Sequence, residues 1–369
     1  MSPIRPLVPD DLAAVAAIYA DFDGRSRSEV PRLVEYFERA VLADPAADPE
    51  IPSLVYEDRG DGVVGAIFSH VRRFTDGERP VRIAFSGPLL ARPDHRRRGV
   101  GALLLRRYLA GAQDVTATDG AVDEVQAMWQ GLGGSTHAAA SVGWGRVLAP
   151  AGFVAGGLAR KLGERNGPAP GAPLLAKVDA RASGRLLPAA PPGSVSELTP
   201  HALIDLLPRL KRQLSLRPAY DERYLDWLFS ELAVARVPGD PVRRMVFDGD
   251  GRPAGSYVMF VAPGGIAQVV QVAAVGDDVA MTFDHMVRDA AARGAVEIRG
   301  RVETHLLAHL RRMRCRMIPT EWTLVHSDDP ALLATILSGR ALFTRLDGEW
   351  WMQPHTRRPV ASAGQSARG

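Results

Sequence analysis

Arg92-Pro93-Asp94-His95-Arg96-Arg97-Arg98-Gly99-Val100-Gly101-Ala102-Leu103-Leu104-Leu105 is the stretch whose reading decides the fold. It contains Arg-x-x-Gly-x-Gly and runs straight into an apolar, helix-forming sequence. An extended apolar segment, Ile83 to Ala91, stands just before it. The order is strand, basic glycine turn, helix. Gly99 and Gly101 carry no Cβ, so a ligand can come close to the main chain there. The N–H groups from about Arg98 to Ala102, including those of Val100 and Gly101, are expected to converge on one point. A helix N-terminus adds about 1 kcal/mol of favourable field for an anion. Arg96, Arg97 and Arg98 can add charge-assisted hydrogen bonds. A diphosphate suits such a point. The dinucleotide fingerprint fits less well, because it requires a third glycine where this chain has Leu104.

Working outward, the first half reads as alternating elements. Ile4 to Leu7 predicts a strand. A helix follows with Leu12, Val15, Ile18, Tyr19 and Phe22 on one face, then a second with Val30, Leu33, Val34, Phe37 and Val41. Ser53–Glu57 and Val63–Val71 predict strands joined at Gly60-Asp61-Gly62. After the glycine turn, Val100, Leu103, Leu104 and Tyr108 mark the inner face of a helix. Val115–Asp119 predicts a strand, and Val122, Val125, Trp129 and Leu132 stripe the next helix. Ser135 to Leu148 is expected to end the unit as strand, with a helix near Ala155 to Leu162 packed on it. The proline-rich stretches at 168–173 and 188–193 read as linker. The second half repeats the element order without repeating the letters: helices, then strands at 244–248, 255–261 and 266–275, a helix from Val279, and a strand at 296–299. A helix around 306–313 and strand-like segments at 317–325 and 341–346 complete it. Trp322, Trp350 and Trp351 read as sheet residues, with Asp347-Gly348-Glu349 as a hairpin turn. The expected organisation is a domain at 1–160, a linker at 161–198, a second domain at 199–353 and a disordered tail at 354–369.

Composition sets bounds. The chain has 369 residues, 46% hydrophobic and 24% charged, with a net charge of +3. That is an ordinary globular balance, long enough for two domains. Lys161, Lys177 and Lys211 are its lysines, and the Arg-, Ala- and Gly-rich usage suggests a GC-rich bacterial genome. Acidic residues interrupt the arginines, so no nucleic-acid partner is expected. Cys315 is the single cysteine, which excludes an intrachain disulfide and a cysteine zinc site. Beside arginines its thiol is expected to have a lowered pKa. No metal, membrane span or signal peptide is expected, and the compartment expected is the cytoplasm.

These residues resemble the GNAT superfamily of N-acetyltransferases. The likeness begins at Ile4-Arg5-Pro6 with Asp10-Asp11-Leu12 and is strongest at Arg96-x-x-Gly99-x-Gly101-Ala102. It continues through Asp119 to Trp129-Gln130-Gly131-Leu132-Gly133-Gly134, and covers about residues 1–150. The resemblance implies an α/β fold on a mixed sheet, with the second half a degenerate tandem copy. It implies acetyl-CoA, or another acyl-CoA, as cofactor, with its diphosphate on residues 96–102. It also implies that the strand before the loop splays from its neighbour, so that the main chain of Leu89 and Ala91 holds the pantetheine arm. Asp119 and Trp129 fall at further cofactor-side positions. The implied activity is direct acyl transfer from CoA to a primary amine of a small molecule.

The family pattern breaks at two points. Trp129 stands where the family often has an acidic tyrosine, and the strand 81–91 lacks a glutamate. Ser86, on the acceptor side of that strand, and His137, after the Trp129 helix, are the candidate catalytic residues. His70 and His95 flank the same region. The second half has Val275-Gly276-Asp277-Asp278-Val279 at the equivalent loop, where two acids would repel a diphosphate, so one cofactor site is expected. Two other readings stand beside the enzyme: a catalytically weak CoA-binding sensor or scaffold, and an aminoacyl transferase of the tandem GNAT-like type.

Overall fold

Alternating apolar residues bounded by glycine turns give this chain two sheets. The computed structural model describes residues 3–161, 179, 186–210 and 212–352. The predicted tail at 354–369 and most of the linker lie outside them. The first half contains β1 (Ile4–Pro6), α1 (Leu12–Asp23), α2 (Val30–Phe37), β2 (Leu54–Asp58), β3 (Gly62–Asp76) and β4 (Arg79–Ala91). It continues with the single turn α3 (Pro93–Arg96), α4 (Val100–Leu109), β5 (Val115–Ala121), α5 (Asp123–Gly131), β6 (Ser135–Thr136), β7 (Val142–Val147) and α6 (Pro150–Lys161). Then come β8 (Ser194–Glu197), β9 (Leu216–Pro218), β10 (Asp240–Phe247), β11 (Pro253–Val261) and β12 (Ile266–Ala274). The last strands are β13 (Glu297–Arg301), β14 (Arg316–Pro319) and β15 (Trp322–His326).

The first sheet runs β1-β2-β3-β4-β5-β15-β6, with β9 added on β3; the second runs β14-β7-β13-β12-β11-β10-β8. The order shows a reciprocal exchange. β15, from the end of the chain, lies between β5 and β6, and β7, from the first half, lies between β13 and β14. Residues 135–148 therefore do not end the first unit as a continuous strand: β7 leaves for the other sheet. Trp144 on β7 anchors the move. It is fully buried, packs on Phe283 with ring centroids 5.3 Å apart, and donates its indole N–H to Arg301 O at 3.0 Å. Truncating such a side chain to alanine typically costs about 3–5 kcal/mol. The start of α6 follows β7, with Leu148 N–H bonded to Val296 O at 2.9 Å, so it packs on the second half, contrary to expectation.

Each sheet is antiparallel except for one short parallel pair. β4 meets β5 through Ile83–Val115, Ala84–Thr116 and Phe85–Ala117. β12 meets β13 through Ile266–Glu297, Ala267–Ile298 and Gln268–Arg299. Three residues of pairing, then separation, make a fork in each sheet. The segment expected as strand at 341–346 forms an irregular path instead, and 347–352 is a turn rather than sheet. All of 341–352 is buried. It runs along the seam between the two forks. In α4, Leu104 and Tyr108 face inward as the stripe predicts, whereas Leu103 is exposed; Val122, just before α5, is exposed, and Trp129 within it is buried.

Candidate functional site

The first fork opens after Phe85 and Ala117. β5 goes on with β15, through Thr118–Leu324 and Ala121–Trp322. β4 stays with β3, through Leu89–Ile67, Leu90–Ala66 and Ala91–Gly65. Arg92 N–H donates to Val64 O at 2.9 Å. Main-chain groups alternate along an antiparallel ladder, so those of Leu90 also face β3. Those of Leu89 and Ala91 face the open edge. Ser86 sits in the angle of the fork, and its hydroxyl donates to Ala117 O at 3.2 Å.

The glycine turn lies at the end of that edge. Gly99 has φ 75° and ψ 19°, a left-handed conformation that a side chain would strain. It caps α4. Val100 is buried against Gly65 of β3, where an added Cβ would stand 2.7 Å from the Val100 side chain, so the helix start sits directly on the sheet. Five converging amides were expected; the structure leaves three. Arg98 N–H bonds His95 O and Gly99 N–H bonds Arg96 O, each at 3.1 Å, because the turn closes on itself. The N–H groups of Val100, Gly101 and Ala102 have no main-chain acceptor among the described residues. The space over Gly101 is open, with Leu89 Cδ2 3.9 Å from where a Cβ would lie. The arginines divide their work. Arg96 donates through Nε to Ala91 O at 3.0 Å and lies over Phe22. Arg98 is 3.8 Å from Asp58, and Arg97 is exposed. His95 is buried and bonds Asp61 at 3.0 Å, which pins the turn to the β2–β3 hairpin.

The other arm of the fork receives the chain's second half. Gly348 lies against the Asp119 carboxylate, where a Cβ would clash at 2.3 Å. Asp119 accepts from Trp350 N–H at 2.9 Å and has Arg301 3.7 Å away. Glu349 then reaches into the fork. Its Oε1 accepts from the Thr118 hydroxyl and from Asp119 N–H, the latter at 3.0 Å. Its Cγ is 2.7 Å from the Cβ position of Gly87. The Glu349 carboxyl also hydrogen-bonds the Asp119 carboxyl, and no N–H or O–H among the described residues donates to its Oε2. Burial, and then the charge of Asp119, push the Glu349 carboxyl well above the usual range. Burial raises Asp119 as well, but Arg301 and Arg345 oppose that rise, so of the two Glu349 holds the proton.

Across the angle, His70 donates through Nε2 to Gly87 O at 3.2 Å, which leaves Nδ1 as a lone pair with no partner among the described residues. Burial and then Arg72 hold its pKa down at about 4. His70 and Glu349 together line a narrow crevice with Phe37, Phe68, Pro88 and Met352.

Three expectations need correction. Trp129 does not face the fork: it is fully buried in the core and donates to Val325 O at 3.1 Å. Its place in the apolar stripe of α5 was the better signal. His137 is buried beside Phe343, accepts from Ala140 N–H at 3.4 Å and bonds the Ile336 main chain. Its ring nitrogens are thereby committed to main chain, and burial lowers its pKa to about 4, so it has nothing with which to relay a proton. The Cys315 thiol is raised to about 11 by burial, against a smaller opposing effect of Arg146, rather than lowered. Asp119 is at the fork, but it grips the 348–350 turn. Glu349 and His70 are the polar groups that sequence reasoning missed or ranked low; Asp-Gly-Glu reads as turn chemistry, and nothing local points it into a distant sheet.

Among the described residues no group of three or more His, Cys, Asp or Glu side chains is set to hold a metal, and no helix is long and apolar enough to cross a membrane. No family model matches the sequence, and no curated protein matches it. Solved structures do. A conserved protein of unknown function from Enterococcus faecalis V583, described as a probable N-acyltransferase, is similar over 91% of this chain and 74% of its own, at 10% identity and a TM-score of 0.58. A GCN5-related N-acetyltransferase from Anabaena variabilis ATCC 29413 is similar over 91% and 74%, at 11% identity and a TM-score of 0.55. One from Kribbella flavida is similar over 90% and 73%, at 16% identity and a TM-score of 0.53. The fold is that of the GNAT N-acetyltransferases, α/β on mixed sheets, with two such sheets in one chain.

Proposed function

We propose that this chain is an N-acyltransferase that moves an acyl group, acetyl above all, from CoA to the primary amine of a small molecule. One observation carries the reading: an open strand edge, with the main-chain groups of Leu89 and the N–H of Ala91 turned away from β3, leads directly to three unspent amides at a helix N-terminus. The residues present fit acyl-CoA. Val100, Gly101 and Ala102 would hold the diphosphate through main-chain N–H groups, with Arg97 and Arg98 close in sequence to add charge. The main chain of Leu89 and the N–H of Ala91 would hold the extended arm by strand-like hydrogen bonds. Bound acyl-CoA supplies a thioester, whose carbonyl carbon an uncharged amine can attack.

The chain's own contribution is first positional. Holding both reactants in the fork can lower the barrier by several kcal/mol. A main-chain N–H on the open edge, aimed at the carbonyl oxygen, stabilises the charge that develops there. Ser86 keeps the angle of the fork fixed through its bond to Ala117. Calorimetry with acetyl-CoA tests the reading, followed by thiol release across a panel of amines. Absence of binding at millimolar acetyl-CoA rejects it. Binding with no turnover on any amine selects the sensor or scaffold instead.

A further inference from the structure

We infer that Glu349, delivered into the first fork by the second half of the chain, is the proton donor to the sulfur that leaves during acyl transfer. The inference rests on the acyl-transfer reading above. It starts from placement. The strand that would carry an acid or base in this fork, 81–91, has no carboxylate, and the tyrosine-like position is Trp129, turned into the core. A carboxyl nevertheless reaches the angle of the fork, from a residue more than 200 positions further along the chain.

Its geometry is one-sided. Oε1 is saturated by the Thr118 hydroxyl and Asp119 N–H. Both are donors, so the carboxyl's own proton belongs on Oε2. The Asp119 carboxyl hydrogen-bonds that of Glu349, so a buried acid pair holds this proton in the angle of the fork, where Glu349 is 1% exposed. His70 Nδ1 is buried and has no partner among the described residues, and His70 and Glu349 line one crevice with apolar walls.

The step balances as follows. A bond forms between the amine nitrogen and the carbonyl carbon, and the carbon–sulfur bond breaks with its electron pair going to sulfur. The Glu349 O–H bond gives its proton to sulfur, and the resulting carboxylate takes the surplus proton from nitrogen. One proton has moved from nitrogen to sulfur, and Glu349 ends as it began.

The groups facing Glu349 set its protonation. Asp119 and Thr118 come from β5, His70 from β3 and Tyr108 from α4, while Arg301 and Arg345 act on the Asp119 member of the pair. Asp119 pushes its pKa up, as burial does. Asp119 is accordingly a positioning residue, which acts through Glu349.

Glu349→Gln keeps the shape and the bonds to Thr118 and Asp119 while removing the acid. Four measurements on the full chain test the inference. By calorimetry, wild type and Glu349→Gln should bind acetyl-CoA within about threefold of each other. In turnover with the amine panel, kcat should fall on the order of 100-fold, the scale of general acid–base catalysis, with the amine KM little changed. In infrared difference spectra of the ligand-free proteins at neutral pH, a protonated-carboxyl band should be present in wild type and absent from Glu349→Gln. Wild-type kcat should also decline as pH rises through the Glu349 pKa, and Asp119→Asn should move that decline to lower pH. A kcat within twofold of wild type in Glu349→Gln overturns the inference, and so does a missing carboxyl band. If the variant fails to fold, the wild-type pH profile decides: activity that is flat or rising through the alkaline range overturns it. Loss of acetyl-CoA binding in both proteins is a different failure, one that removes the acyl-CoA reading itself.

Discussion

Beyond Phe85 the outer edge of β4 pairs with no strand and carries one side-chain bond, Arg96 to Ala91 O, whereas beyond Gln268 the outer edge of β12 is occupied by a protein segment. Val270 O accepts from Leu346 N–H at 3.1 Å, and Val272 O bonds the His305 ring at 3.4 Å. Gln271 reaches Thr344, and Arg301 on the facing strand donates to Phe343 O. The chain itself fills the second fork. The loops beyond the two edges differ in the same sense. The first has Gly99, Val100, Gly101 and flanking arginines. The second has Gly276 with its N–H spent on Gln213, followed by Asp277 and Asp278. Burial, with Asp248 and Asp277 nearby, pushes the Asp278 carboxyl up, the mark of a site hostile to more negative charge. One geometry thus has two uses. What separates them is the sign of the loop and whether a protein segment already satisfies the strand edge.

The comparison can be broken most forcefully at the residue that spans it. Arg301 of β13 faces Asp119 of β5 and also bonds Phe343 and Thr323. Both members of the charged pair are buried. Arg301→Met should remove the stronger of the two cations acting on buried Asp119 and cost about 3–5 kcal/mol, read from denaturant unfolding. A loss under 1 kcal/mol would mean that the seam is not held this way. Next in size, Gly101→Asp should weaken acetyl-CoA binding more than about 100-fold through blockage and like charge, with an unchanged melting temperature, since open space lies over Gly101. The wild-type stoichiometry should be one per chain; a value of two would mean that the forks are equivalent.

A pH measurement sharpens the second fork. Burial raises Glu303 to about 8, against the opposing charge of Arg301, while the unfolded group titrates near 4.3. Its folded pKa is the higher one, so the stability it contributes is complete below the unfolded value and is lost as pH rises towards 8. The melting temperature of Glu303→Gln relative to wild type should therefore climb between about pH 4.5 and 8 and level off beyond. A flat difference would mean that Glu303 is solvated. The smallest effect belongs to Arg97→Ala, which should weaken acetyl-CoA binding only about two- to threefold, and less at high salt, as for an exposed charge.

The sequence reading succeeded where the signal was in the backbone. Glycine spacing at 99 and 101 specifies a turn within a few residues, and the structure has that turn at Gly99, with open space over Gly101. The leucines after it specify the helix. It failed where long-range pairing decides. The alternation at 135–148 and 322–326 is real, but alternation says which residues form a strand and not which strand lies beside it. The exchange of β7 and β15 is therefore invisible locally. Trp129 was placed by analogy towards the cofactor, although its spacing with Val125 on α5 already assigned it to the core. Glu349 was read as part of a turn because Asp-Gly-Glu is turn chemistry. Its place in the fork depends on Thr118 and Asp119, more than 200 residues away.

The crossed strands also bear on how the molecule is made. During synthesis β5 emerges about 200 residues before β15, the strand that must lie against it. At roughly 5–20 residues per second, the nascent first half waits on the order of 10–40 seconds with a gap in its sheet. Neither half can reach its final form on the ribosome alone, and a polypeptide cut between them would carry one orphan strand and lack another. Expressed as separate fragments, the two pieces should remain aggregation-prone until mixed, and should then regain the native assembly together.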